Sequence, residues 1–107
     1  MPMEHENCPC METCPLNRAM ALIGKWKMQI LCSLYNNGPT RYNQLKKTLD
    51  GVSNTVLANA LRELEGDGLV HRQEYLEVPV RVEYAITEPC RQLIPILDAL
   101  GDWSMAL

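Results

Sequence analysis

The stretch DGVSNTVLANALRELEGDGLVHR, residues 50–72, decides the fold. Ser53 suits a helix N-cap, because its hydroxyl can accept from a first-turn amide that has no helical partner. Leu57, Leu61 and Leu64 recur at i, i+4 and i+7, with Val56 and Ala60 beside them. That spacing makes one apolar stripe at the helical period. Asn54, Thr55, Ala58, Asn59, Arg62 and Glu63 occupy the opposite side. Gly66-Asp67-Gly68 stops the helix, since glycine enters the left-handed conformation without a steric cost. The amides and hydroxyls of the outer side suit base edges and phosphates, and they suit water equally well.

Working upstream, Thr40 can cap a shorter helix whose Tyr42, Leu45 and Leu49 face inward. Arg41, Gln44, Lys46 and Lys47 face outward, and Asp50-Gly51 makes the turn into the Ser53 helix. A short helix, a tight glycine turn and a longer helix form a helix-turn-helix over about residues 41–66. Further upstream, Trp26, Ile30, Leu31 and Leu34 share one side of a helix that ends at Asn36-Asn37-Gly38-Pro39. A first helix starts at Pro15 and runs through Leu16, Met20 and Ile23 to Gly24.

Downstream of Gly68 the period falls from 3.6 to 2. Leu69, His71, Gln73 and Tyr75 alternate with Val70, Arg72 and Glu74, and Arg81-Val82-Glu83-Tyr84-Ala85-Ile86 alternates again after a loop at Leu76–Val80. The reading is a two-stranded hairpin over about residues 69–86, a wing that must pack on the helices to be stable. Thr87 then caps a last helix, about residues 88–104, carrying Leu93, Ile96, Leu97, Leu100 and Trp103 in a stripe. The stripe exceeds what a small core can cover. The expected partner is the same helix of a second copy, rather than Trp26 and its neighbours.

The 107 residues suit one domain, with residues 1–14 as an N-terminal cysteine-containing arm and residues 15–107 as the folded unit. A composition of 47% hydrophobic and 21% charged residues is that of a globular chain rather than a disordered one. No apolar run approaches the roughly 20 residues that cross a bilayer, so no membrane contact is expected. The opening MPMEHENCPC is polar and acidic and unlike a signal peptide. Five cysteines without an export signal then point to reduced thiols and a cytoplasmic protein.

The net charge of −3 is unusual for a nucleic-acid ligand, but its distribution is informative. Arg18, Lys25, Lys27, Arg41, Lys46 and Lys47 fall in residues 15–49, which contain no acid. That basic block directly precedes the Ser53 helix and favours an anionic partner. Cys8, Cys10 and Cys14, with His5, offer soft donors, yet the paired C-x2-C units of a zinc site are absent and no metal or cofactor is assigned. The two histidines have no nucleophile or paired carboxylate in a signature spacing, and no glycine-rich phosphate loop is present, so an enzyme is not expected.

Several blocks together resemble the HxlR-type winged helix-turn-helix transcription regulators. They are Cys14-Pro15, Ile23-Gly24-Lys25-Trp26, Arg41-Tyr42 with Leu45, Gly51-Val52-Ser53 with Leu57, and Leu61-Arg62-Glu63-Leu64-Glu65 with Asp67-Gly68-Leu69-Val70. Val78-Pro79 with Arg81-Val82-Glu83-Tyr84, and Thr87-Glu88, complete the match over roughly residues 14–103. The resemblance implies a mainly α fold with a β wing, and a homodimer held by the first and last helices. It implies a recognition helix, here from Ser53, in the major groove of double-stranded DNA. It also implies members that respond to reactive or oxidising small molecules, some through the cysteine of the Cys-Pro pair.

On this reading Arg41, Lys46, Lys47 and Arg81 neutralise phosphates, and Asn54, Thr55 and Asn59 reach base edges of a palindromic operator. Arg62 serves either role, and Lys25 and Ser53 complete the set. Cys14 is the candidate sensing thiol, favoured as thiolate by a helix start and by Arg18 one turn on. Cys90 also begins a helix and could pair with Cys14 across subunits. Cys32 is read as a core residue and His71 as a satisfied polar group. The competing reading is a winged-helix protein-interaction or metal-sensing module that does not touch DNA.

Overall fold

In the computed structural model, residues 15–107 are described. The arm with His5, Cys8, Cys10 and Cys14 lies outside the described residues, as does the side chain of Lys25. Five helices and three short strands follow in order: α1 Pro15–Leu22, α2 Lys25–Asn37, β1 Thr40–Arg41, α3 Tyr42–Thr48, α4 Asn54–Gly66, β2 Val70–Tyr75, β3 Arg81–Ile86 and α5 Glu88–Met105.

Helix α4 is built as its sequence implies. The Val56 amide donates to Ser53 Oγ at 3.1 Å. Leu57, Leu61 and Leu64 are fully buried against Ile30, Leu31 and Leu34 of α2 and Leu45 of α3. Burying each such side chain stabilises the fold by about 1.5–3 kcal/mol. At the far end Gly68 takes φ +82°, its amide donates to Glu65 O at 3.1 Å, and the Leu69 amide donates to Leu64 O at 3.0 Å. These paired bonds satisfy the last carbonyls, and the buried Leu64 and Leu69 close over them. Gly51, at φ +87°, makes the turn between α3 and α4.

Two expectations change around Thr40. It does not cap α3. The N-cap position belongs to Arg41, without a side-chain cap, while the Thr40 hydroxyl donates to Gly38 O at 2.7 Å. Thr40 and Arg41 instead pair antiparallel with Tyr84 and Glu83 of β3. The wing therefore belongs to a three-stranded sheet of order β1-β3-β2. The β-branched Thr40 is buried in this extended segment, where a ladder satisfies its backbone better than a cap would. The anchor this gives the wing roots it beside α3.

Helix α5 starts where Thr87 accepts from the Cys90 amide at 3.4 Å and donates to Gly68 O at 2.6 Å. One hydroxyl thus joins the end of α4 to the start of α5. Cys90 and Ile94 enter the core, and Leu93 packs on its edge. Beyond them the stripe leaves the body: Ile96, Leu100 and Trp103 are exposed, and so are Leu16 and Met20 of α1. Within the protomer Ile96, Leu100 and Trp103 thus stay largely uncovered, while Leu93 and Trp26 pack on the same core. Cys32, read from sequence as a core residue, is exposed on α2, because its neighbours Leu31, Ser33 and Leu34 take the inward positions.

Candidate nucleic-acid interface

The outer face of α4 follows from its buried one. With Leu57, Leu61 and Leu64 inward, Thr55, Asn59 and Arg62 lie about half a turn away and are exposed. The two flanks of α4 meet different neighbours. On one flank Val56, Asn59 and Glu63 line a hollow with Ala21, Gly24 and Lys27. On the other, Ala58, Arg62 and Glu65 line a groove with Tyr42, Arg72 and Tyr84 of α3 and the wing.

Arg41, Lys47 and Arg81 come together in one cleft with Tyr42 and Gln44, between α3 and the start of β3. Tyr42 lines both this cleft and the α4 groove, so the two are neighbours. Its hydroxyl donates to Asn54 at the leading end of α4, 3.1 Å from the backbone O and 3.3 Å from Oδ1. Ser53, Asn54 and Thr55 are exposed beside it. Lys46 is half-buried next to the buried Leu45. Helix α3, the front of α4 and the root of the wing therefore share one side of the molecule.

The cations on this side differ in how free they are. The Arg81 guanidinium is half-buried, 3.1 Å from Glu77 and 3.3 Å from Glu83, and lies 4.0 Å over the Tyr75 ring. Its charge is matched inside the wing, where the sequence had suggested a free cation. Arg62 Nη1 donates to Asn59 Oδ1 at 2.9 Å. Lys27, part of the basic block, binds Glu63 of α4 at 2.7 Å, and its ammonium holds the Glu63 carboxyl below the usual carboxylate range. Within the block that is continuous in sequence, Lys27 is thus drawn to α4 while Arg41 and Lys47 line the α3 cleft.

Sequence reasoning missed Arg72 and Tyr84 in the α4 groove, and it read Tyr42 only as a core residue. Arg72 and Tyr84 are cross-strand partners. The pairing register that sets them beside α4 has no local signature. His71 meets Gln73 Oε1 at 3.1 Å and is a satisfied polar group, as expected.

The cysteines are arranged unequally. Cys90 is completely buried at the start of α5. Burial pushes its thiol pKa up, the neighbouring Cys32 adds to this, and Arg91 only partly opposes them. A raised pKa lowers the thiolate fraction and with it the reactivity. Cys32 is exposed, yet partial desolvation by its neighbours also raises its thiol, with Asp98 of α5 adding to it. Among the described residues no helix is long and apolar enough to cross a membrane.

Three comparisons place this arrangement among known proteins. The family model described as HxlR-like helix-turn-helix matches residues 21–107. An HTH-type transcriptional regulator of Halalkalibacterium halodurans is 41% identical over 92 residues, which are 85% of this chain and 81% of the relative. The structure of the redox regulator HypR in its oxidized form superposes with a TM-score of 0.79 at 36% identity, covering 88% of this chain and 97% of HypR. The reduced form of the transcriptional regulator YodB from Bacillus subtilis gives a TM-score of 0.78 at 34% identity, over 85% and 90% of the two chains. With α4, the wing and α5 arranged as described, the chain belongs to the HxlR-like helix-turn-helix family and is a winged-helix transcriptional regulator.

Proposed function

We propose that the protein binds double-stranded DNA as a homodimer in the cytoplasm and regulates transcription from a palindromic operator. The observation that carries this is the common side on which the α3 cleft and the α4 front lie next to each other, linked by the hydrogen bond from Tyr42 to Asn54. Arg41 and Lys47 neutralise phosphates and fix the register, with Lys46 and Lys25 as further cations. Asn54, Thr55 and Asn59 reach base edges in the major groove, Ser53 presents the helix start, and Arg62 contacts base or phosphate. Arg81 contacts phosphate when it exchanges its carboxylate partners for one. The exposed α5 stripe pairs with its copy, setting two recognition helices about 34–36 Å apart, one duplex turn.

Thiol control belongs to the same proposal. HypR, a structural relative, is a redox regulator. Cys14 is the sensing thiol, because Cys90 in this conformation is sealed from an oxidant or electrophile. Pairing of Cys90 with Cys14 across subunits requires the first turn of α5 to open.

Binding to the DNA upstream of the protein's own gene, measured by gel shift with reductant at low and high salt, tests the reading. Retarded DNA whose affinity falls steeply with salt supports it. No retardation at low salt by a folded dimer overturns it. The protein-interaction alternative draws on the matched charge of Arg81 and the acidic Glu63 and Glu65 of α4, and it gains from that second outcome.

A further inference from the structure

Helix α4 has one flank with matched charge and one with cations to spare. On the flank that faces α2, Lys27 is bound to Glu63 at 2.7 Å, and these two are the charged residues of the hollow there. On the flank that faces the wing, Arg62 of α4 and Arg72 of β2 line the groove from opposite walls, with Tyr42 and Tyr84 beside them. The sheet register sets this arrangement: Arg72 pairs with Tyr84, and β2 packs on α4. Both arginines are exposed, and among the described residues neither forms an ion pair. Arg62 uses Nη1 on Asn59, which leaves its other donors and all those of Arg72 for a ligand. Glu65 lines the groove too, so two guanidiniums stand against one carboxylate and a positive charge remains.

A helix seated in the major groove of a duplex is bounded by one sugar-phosphate ridge on each side. One ridge passes the Lys27–Glu63 flank, and the other passes between α4 and the wing. A guanidinium matches phosphate oxygens with two parallel hydrogen bonds, which a neutral or ion-paired flank does not offer. We propose that the groove between α4 and the wing is a binding site for the phosphodiester backbone of the wing-side strand, gripped by Arg62 and Arg72 from its two walls. The site is additional to the α3 cleft of Arg41 and Lys47, and Arg72 lies outside the basic block of residues 15–49. It assigns Arg62 to phosphate rather than to a base edge. The inference rests on the DNA-binding reading and deepens it, by naming a second phosphate site and the residues that form it.

The full chain, with reductant, bound to the duplex upstream of its own gene supplies the test, by salt titration and by interference from ethylation of single phosphates. Arg72→Gln keeps part of the side-chain stem and removes the charge. It should weaken binding to all duplexes several-fold at low salt and flatten the slope of log affinity against log salt by about 0.9 for each subunit bound. Interference should vanish at one or two neighbouring phosphates of each half-site, while the rest of the footprint stays as in the parent. Arg62→Gln should act on the adjoining phosphate of the same strand and leave sequence preference unchanged. A merely structural role for either arginine would lower the melting temperature and weaken every phosphate contact alike. An unchanged slope and footprint for Arg72→Gln overturns the inference, and so does a relaxed base preference for Arg62→Gln. Should Arg72→Gln fail to fold, the Arg62→Gln footprint still decides, since the site requires the loss of a phosphate contact there. A parent that retards no duplex removes the DNA-binding reading and this inference with it. A slope flattened by Lys47→Ala but not by Arg72→Gln removes the inference alone.

Discussion

Helices α4 and α5 carry nearly the same pattern and meet different fates. Each has leucines at helical spacing, a threonine or serine cap and a polar opposite face. On α4, Leu57, Leu61 and Leu64 are 0%, 2% and 0% exposed; on α5, Ile96, Leu100 and Trp103 are 64%, 50% and 61% exposed. The difference lies in what surrounds them. Helix α4 is enclosed by α2, α3 and the sheet, whereas α5 leaves the core after Ile94. An apolar stripe thus states that a helix needs a partner, and the rest of the chain decides whether that partner is internal.

The comparison predicts a large asymmetry in stability. Leu57→Ala or Leu64→Ala should destabilise the protomer by about 2–5 kcal/mol, since each leaves a cavity that the packed neighbours fill only in part. Urea unfolding would show this as a lower midpoint at unchanged slope. Trp103→Ala should stay within about 0.5 kcal/mol for the protomer, because the ring touches little of its own core. Equal losses at Leu57 and Trp103 in a dilute monomeric sample would break the comparison.

The same α5 change should act strongly on assembly. Trp103→Ala combined with Leu100→Ala is expected to raise the dimer dissociation constant by about tenfold or more, as loss of a buried aromatic anchor does. Sedimentation across a concentration series measures it. The parent's melting temperature should rise with concentration, and the variant's dependence should shift to higher concentration. A parent that sediments as a monomer throughout would leave the stripe without the partner assigned to it.

On the DNA-facing side the contrast is between α4 and α3. Asn59→Ala should relax sequence preference, while Lys46→Ala or Lys47→Ala should weaken binding to all duplexes alike and flatten the salt slope by about one unit. A smaller effect is expected at the wing. Glu77→Gln loosens the pair that holds Arg81 and should strengthen DNA binding a few-fold at low salt, an effect that disappears at high salt. Weaker binding by Glu77→Gln would show that the ion pair holds Arg81 where the phosphate needs it.

What could be read from the sequence divides along the same line. Ser53, Leu57, Leu61, Leu64 and Gly68 act over one or two turns, and their spacing carries their roles. Thr40 is the counter-example: a hydroxyl before a helix resembles a cap, but its partner, Tyr84, is 44 residues away, and the ladder takes precedence. Tyr42 resembled a core residue for the same reason, since its contact with Asn54 crosses a turn that spacing does not encode. The basic block was visible as charge. Its division was not, because the partners of Lys27 and Arg81 are carboxylates set opposite them by helix packing and by the wing's own turn.

The smallest expected effect concerns the ion pair that ties α4 to α2, a tie that α5 lacks along its exposed stripe. Lys27 holds the Glu63 carboxyl below its unfolded pKa. A depressed carboxylate stabilises the fold above its unfolded pKa, and that contribution is lost as pH falls through the folded value. Glu63 is fully exposed, so solvent screens the pair and the effect is slight. Thermal melts of the parent and Glu63→Gln should therefore differ a little at pH 7 in low salt and converge below about pH 4. Salt should also erase the difference, because the pair lies at the surface. A difference that persists at low pH or in high salt would assign Glu63 a role by packing rather than by charge, and the hollow it lines with Ala21 and Gly24 would be the place to look.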